Sequence, residues 1–378
     1  MHESNRGSED ESTPPFTLRD PLASTEILSP PPSEPIAEGP PVMPGLWTWF
    51  TIIAALGLAG IVWQQAELGL SVALAGAFVA AHAADRDENL STLHRMLSAA
   101  FVMGGAAVFA VMAYWLATQS NGVARPLAVG IAGGSAVLCL VTAFRPFADA
   151  LAAALFRTVE PNHVLRLGAR MVMMVLLFAI PGWAAFPGVI DTLAESGKPL
   201  VDAGQMLSSV VGLSVLALGA VGFMIRRDWR ATLDRLGLRA PKPSHLVVVV
   251  VGVVALYLLN TGSEALQRAW LPDLWRHDQE ISRLIAGGLG VGGSVMLGVT
   301  AGVGEELSMR GALQPRLGLV LTALSFAALH VQYSWFGIAT IFVLGVVLGL
   351  IRNRTSTTIA ILVHSLYDIA AVFTVSGR

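Results

Sequence analysis

An all-α bundle that crosses a bilayer about eleven times is the fold class this sequence predicts, and three observations lead there. Hydrophobic residues make up 54% of the 378-residue chain and charged residues only 13%, with a mean hydropathy of +0.64. A soluble domain carries about 25% charged residues. Apolar runs of roughly twenty residues, the length that crosses the hydrocarbon core, recur along the chain. Basic residues gather in alternate loops between those runs, as they do at the cytoplasmic ends of membrane helices.

Residues 1–45 come first, with seven prolines between Pro30 and Pro44 among Ser, Glu and Asp. They show no apolar periodicity and read as a disordered tail. The basic-then-apolar pattern of a signal peptide is missing, so the tail is expected to stay attached. From Leu46 the runs place spans near 46–64, 68–84, 98–117, 127–144, 171–187, 206–225 and 245–262. Four more follow near 294–314, 318–333, 336–351 and 357–375. The glycine-rich stretch at 286–293 either extends the eighth helix or forms a loop before it.

Loop charge sets the orientation. Residues 226–243 carry Arg226, Arg227, Arg230, Arg235, Arg239 and Lys242 against two acids, and the 145–170 loop carries Arg145, Arg157, Arg166 and Arg170 against two. Between them, 188–205 has three acids and one lysine. The basic loops are expected in the cytoplasm, with the N-terminus inside and the C-terminus outside. The net charge of −2 and the lack of a Lys/Arg block argue against nucleic acid as a partner. The single cysteine, Cys139, lies in an apolar run and reads as a packing residue. Small residues four apart, at Gly130/Gly134, Gly288/Gly292, Gly298/Gly302 and Gly345/Gly349, are expected to let helices approach closely.

Against this apolar background, Gly304-Glu305-Glu306-Leu307-Ser308-Met309-Arg310-Gly311 puts three charges in one segment. Each costs about 2.5–3.5 kcal/mol at a helix centre on translocon scales, so the cluster needs a reason. Glu306 and Arg310 are four apart and can pair on one face. Glu305 lies about 100° round the helix, with no partner in the motif. Three more polar residues follow inside later spans: His330, then His364 and Asp368 four apart, where the carboxylate can orient the ring. At about 1.5 Å per residue, Glu305, His330 and His364 lie roughly 16, 21 and 15 Å from their cytoplasmic turns. Three helices thus deliver Glu, His and His to nearly one level. Singly, each would read as a structural residue; Glu306 with Arg310 reads as a structural ion pair. Together they read as a site. The other histidines (His2, His82, His94, His163, His245, His277) have no acid at useful spacing within the runs.

Such a set can activate water in two ways. The free carboxylate can act as general base with the histidines stabilising an oxyanion. Alternatively Glu305, His330 and His364 can hold a divalent metal such as zinc with an open position for water. No His-Glu-x-x-His pair and no Gly-x-Ser-x-Gly elbow occurs beside these residues, and Ser308 points to no triad. Both routes end in hydrolysis, most readily of a peptide bond.

The pattern Glu305-Glu306-x-x-x-Arg310, Phe326-x-x-x-His330, His364-x-x-x-Asp368 resembles the CAAX prenyl protease and bacteriocin-processing (CPBP, or Abi) family of intramembrane endopeptidases. The resemblance covers residues 245–375 and leaves 46–244 as an N-terminal transmembrane region of unassigned role. It implies an all-helical intramembrane hydrolase open towards the cytoplasm. It further implies that Glu305 activates water, that His330 polarises it or stabilises the oxyanion, and that His364 and Asp368 complete the oxyanion side. The last position is often Asn in the family; Asp368 is acceptor-only when ionised. The expected partners are the lipid bilayer and a membrane-bound or lipidated peptide or protein, and the expected location is a bacterial cytoplasmic membrane. Two other classes stay open: a family member that has lost cleavage and serves as a scaffold or immunity protein, and a transporter with a Glu/His proton relay. A transporter predicts two related halves, and residues 46–244 carry no second copy of the motif.

Overall fold

The computed structural model describes residues 42–118, 125–196 and 201–376. The tail read at 1–45 lies outside them up to residue 41, as do residues 197–200 of the acidic 188–205 loop. Among the described residues there is no β-strand, only an isolated bridge between Phe223 and Arg227. The first helices are α1 (Val42–Val62), α2 (Ala66–Ala84), α3 (Ser91–Thr118), α4 (Arg125–Val141), α5 (Arg145–Phe156), α6 (His163–Ser196) and α7 (Ala203–Val221). Then come α8 (Trp229–Arg235), α9 (His245–Trp270), α10 (Pro272–Ala286), α11 (Val291–Glu306), a π-helical turn (Leu307–Leu313) and α12 (Gln314–Leu317). The chain closes with α13 (Leu319–Ala328), α14 (Trp335–Arg354) and α15 (Thr357–Ser376).

Each of the eleven apolar runs contains helix, but not every run is a single helix long enough to cross a bilayer. Eight helices are long and apolar enough to do so, and ten spans result if two bent pairs each count as one. The pairs are α4 with α5, bent by 108°, and α10 with the α11–α12 segment, bent by 106°. The run at 318–333 falls short. Its helix α13 has ten residues, about 15 Å, or half the hydrocarbon core. The turn at 329–334 completes the passage to α14. The basic stretch at 145–170 is also no simple loop. It folds into α5 and the start of α6, where Arg166 pairs with Asp149 at 2.5 Å. Arg170 is buried and donates to the Thr142 carbonyl at 2.6 Å and to Ser98 Oγ at 2.5 Å.

One end of the bundle collects the arginine-rich turns and ties them together. Thr357 N donates to the Gly237 carbonyl at 3.0 Å, and Arg235 to the Gly311 carbonyl at 3.0 Å. His163 donates to Asp85 from its backbone at 2.9 Å and shares a 2.7 Å contact through its ring. Leu317 packs on Ala152 and Phe156. The helix α7 ends on Gly222, whose φ of +77° suits glycine, and the chain turns there against His82. At the opposite end Trp63, Trp270 and Trp335 stand exposed, the placement of an interfacial aromatic belt.

Close packing follows only two of the four glycine pairs. A Cβ on Gly302 would lie 2.3 Å from Ser365 Oγ and one on Gly298 would lie 2.8 Å from the Ser365 carbonyl, so α11 and α15 touch backbone to backbone. Gly345 and Gly349 likewise bring α14 onto α13 and α12. Gly130, Gly134, Gly288 and Gly292 have nothing within 4 Å of such an atom, so they make no close approach within the chain. Cys139 is buried in an apolar cluster with Ala106, Phe109 and Met173.

Candidate active site

The tight seam between α11 and α15 sets the site. One turn beyond Gly302, α11 delivers Glu305 and Glu306 on different faces. Glu306 points inward and is fully buried, whereas the Glu305 side chain keeps 29% of its surface. The helix then widens into the π-turn Leu307–Leu313, where the Gln314 N–H reaches back to the Met309 carbonyl, five residues away. Such turns are rare and concentrate at functional sites. Within this one the fully buried Arg310 turns its Nε to Glu306 Oε2 at 3.3 Å.

The Glu306–Arg310 pair is more than a pair along one helix. Arg310 donates through Nη2 to the Gly345 carbonyl of α14 at 3.2 Å, and its Cζ stacks 4.7 Å above the Phe326 ring of α13. Glu306 accepts from His364 Nδ1 at 2.9 Å. Three helices are thus locked to one buried carboxylate and one guanidinium. The His364 ring is therefore oriented by Glu306, not by Asp368 alone as the four-residue spacing suggests. Spacing along a helix cannot reveal a partner 58 residues away. With Nδ1 bound to Glu306, Nε2 of His364 faces Asp368 Oδ2 at 3.4 Å and Glu305 Oε2 at 3.9 Å.

His330 arrives differently from the other two. It sits on the turn after α13, and its Nδ1 donates to the Phe326 carbonyl at 2.9 Å. That bond fixes the tautomer and leaves Nε2 as an acceptor. Its ring packs against Phe326 at 4.7 Å, and His364 lies edge-on 6.1 Å from the same ring. Phe326 is the hub between Arg310, His330 and His364, and only its place four residues before His330 hints at it. Gln314 is another residue that the sequence reading missed. It is buried and donates to the Gly349 carbonyl at 3.0 Å and Asn353 Oδ1 at 2.8 Å, fastening the π-turn to α14. Ser308 donates to the Leu213 carbonyl at 3.0 Å.

The fit to a metal is poor. Among the described residues no three His, Cys, Asp or Glu side chains are placed to ligate one ion. Glu306 holds Nδ1 of His364 and the Phe326 carbonyl holds Nδ1 of His330, which leaves Nε2 of each ring open but does not bring both to one point with Glu305. What the arrangement offers is one partly exposed carboxylate, Glu305, beside a rigid frame and two ring nitrogens.

Residues 287–370 match the family model for type II CAAX prenyl endopeptidases, Rce1-like. The matched segment runs from the turn before α11 into α15 and contains Glu305, Glu306, Arg310, His330, His364 and Asp368. No curated protein and no solved structure matches the chain.

Proposed function

On the premise of an Rce1-like segment inside a helical membrane bundle, we propose that this protein is an intramembrane endopeptidase that uses Glu305 to activate water. The carrying observation is the contrast between two adjacent acids. Glu306 is consumed by Arg310 and His364, while Glu305 stays partly open with His364 Nε2 at 3.9 Å. A carboxylate that keeps part of its surface open beside His364 can take a proton from an incoming water.

In this reading Glu305 takes a proton from water as the oxygen attacks the scissile carbonyl carbon. His330, neutral with its proton on Nδ1 towards Phe326, accepts a hydrogen bond from the second water hydrogen through Nε2 and so orients the water. His364, protonated on both nitrogens and backed by Glu306, turns its Nε2–H to the forming oxyanion. The C–N bond then breaks and Glu305 passes its proton to the leaving amine. Asp368 accepts rather than donates and serves to hold His364 between two acids. The reaction is metal-free, and the substrate is a membrane-bound or lipidated peptide. The arginine-rich end lies in the cytoplasm, which puts the N-terminus inside, in a bacterial cytoplasmic membrane.

The test uses purified protein in detergent with membrane-derived and C-terminally lipidated peptides, with and without chelator. Wild type is expected to cleave in chelator. Glu305→Gln is expected to lose about 10²–10⁴-fold in rate, the usual worth of a positioned general base, with unchanged thermal stability. Loss in chelator with recovery on adding zinc would overturn the metal-free mechanism. A Glu305→Gln protein that keeps the cellular phenotype would support the rival scaffold or immunity role, which rests on Asp368 standing in place of an amide.

A further inference from the structure

The turn that carries His330 poses a problem of its own. Residues 329–334 are irregular backbone in a membrane bundle, where such chain persists only if its polar groups are satisfied by protein or by a wet cavity. Within the turn Tyr333 N donates to the His330 carbonyl at 3.2 Å, while Leu329 N and His330 N reach back to the Phe326 and Ala327 carbonyls of α13 at 3.2 and 3.0 Å. Ile338 N donates to the Ser334 carbonyl at 2.8 Å, and further bonds come from upstream of the family-matched segment.

Asp278, on the amphipathic helix α10, is buried and accepts three hydrogen bonds from neutral donors. Ser334 N donates to Oδ1 at 2.6 Å, and Ser334 Oγ and Gln267 Nε2 each donate to Oδ2 at 2.7 Å. Gln267 belongs to α9, so one carboxylate joins α9, α10 and the end of the turn. Next to it His277 Nε2 donates to the Gln332 carbonyl at 3.1 Å. Ser334 also caps α14, accepting from Gly337 N at 3.2 Å. Gly337 has to be glycine for this, since a Cβ there would lie 2.7 Å from Asp278 Oδ2. The carboxylate thus sits at the N-terminus of α14, where the helix dipole favours it.

We infer that Asp278 is a positioning residue for His330: through Ser334, and with Gln267 and His277, it holds the 329–334 turn so that His330 stays seated on Phe326 beside the His364 side of the site. The inference rests on the peptidase reading for its catalytic consequence, and it extends the working unit upstream of residue 287 to include α10 and the end of α9. A shift of about 1 Å in a catalytic group can cost on the order of 10²-fold in rate, which is the scale expected here.

The donor pattern supplies its own control. Asp278→Ala removes both acceptor oxygens and leaves Ser334 N, Ser334 Oγ and Gln267 Nε2 without the carboxylate they donate to. Asp278→Asn is the conservative control, because the Gln267 amide can turn its oxygen to the new NH₂ while the Asn oxygen still accepts from Ser334 N. Cleavage kinetics and hydrogen exchange of the 329–334 peptide would be measured on wild type and both variants in detergent. The expected result is a fall of about 10–10²-fold in kcat for Asp278→Ala with KM little changed, faster exchange in 329–334, and recovery of both in Asp278→Asn. Unchanged exchange and kcat in Asp278→Ala, or no recovery in Asp278→Asn, overturns the inference. Faster exchange in Asp278→Ala but not in Asp278→Asn, in a wild type that cleaves nothing, upholds the clamp and removes the peptidase reading instead.

Discussion

Replacing Arg310 by Met tests the frame most directly. Its guanidinium makes the 3.3 Å ion pair with Glu306, donates to the Gly345 carbonyl and stacks on Phe326, all fully buried. Removing one partner of a buried pair costs about 3–5 kcal/mol, because the other charge is left uncompensated. The charged hydrogen bond is worth about 1.5–3 kcal/mol, but it belongs to the same group, so the costs overlap and the expected loss is about 4 kcal/mol. Glu306→Gln added to Arg310→Met removes the orphan charge, and the glutamine oxygen still accepts from His364 Nδ1. The double variant is therefore expected to be more stable than Arg310→Met alone, with a coupling of about 2–3 kcal/mol. Denaturant unfolding in detergent, followed by near-UV circular dichroism, gives all four stabilities of the cycle. Additivity within about 0.5 kcal/mol would refute the picture of a buried carboxylate shared by Arg310 and His364.

Other outcomes follow from the same geometry. Gly349→Ala places a methyl 2.3 Å from Leu319 Cδ1 and 2.8 Å from Gln314 Oε1, and is expected to lower stability by about 1–3 kcal/mol. Gly130→Ala meets nothing, and its melting temperature should stay at or above wild type; equal losses in the two variants would contradict the packing. Asp85, just beyond α2, feels burial that raises its carboxyl pKa, but its hydrogen bonds from His163 and the nearby Arg226 outweigh that and hold it below the usual value. A depressed acid contributes stability above its unfolded pKa, about 3.9, and loses it as pH falls through the folded value. Melting curves from pH 6 down to pH 3 should therefore drop less in Asp85→Asn than in wild type, and an identical drop would deny the linkage.

Composition and run length alone determined the helical membrane architecture, because the cost of burying an unpaired peptide group in lipid leaves a ten-to-twenty-residue apolar stretch little choice but helix. The spacing of Glu305, Glu306 and Arg310 likewise separated an engaged acid from a free one, since neighbours on a helix differ by about 100°. Other features depended on contacts between distant segments. Run length could not show that α13 stops after ten residues, or that α5 and α10 bend away, since hydropathy averages over the turns. Spacing offered Asp368 as the partner of His364, but the seam at Gly298 and Gly302 brings Glu306 closer. The π-turn that seats Arg310, and Asp278 on the His330 turn, carry no local signature, and the Phe326-x-x-x-His330 spacing does not show that Phe326 also supports Arg310 and His364. Each is defined by what packs against it, and a sequence records that only through the fold.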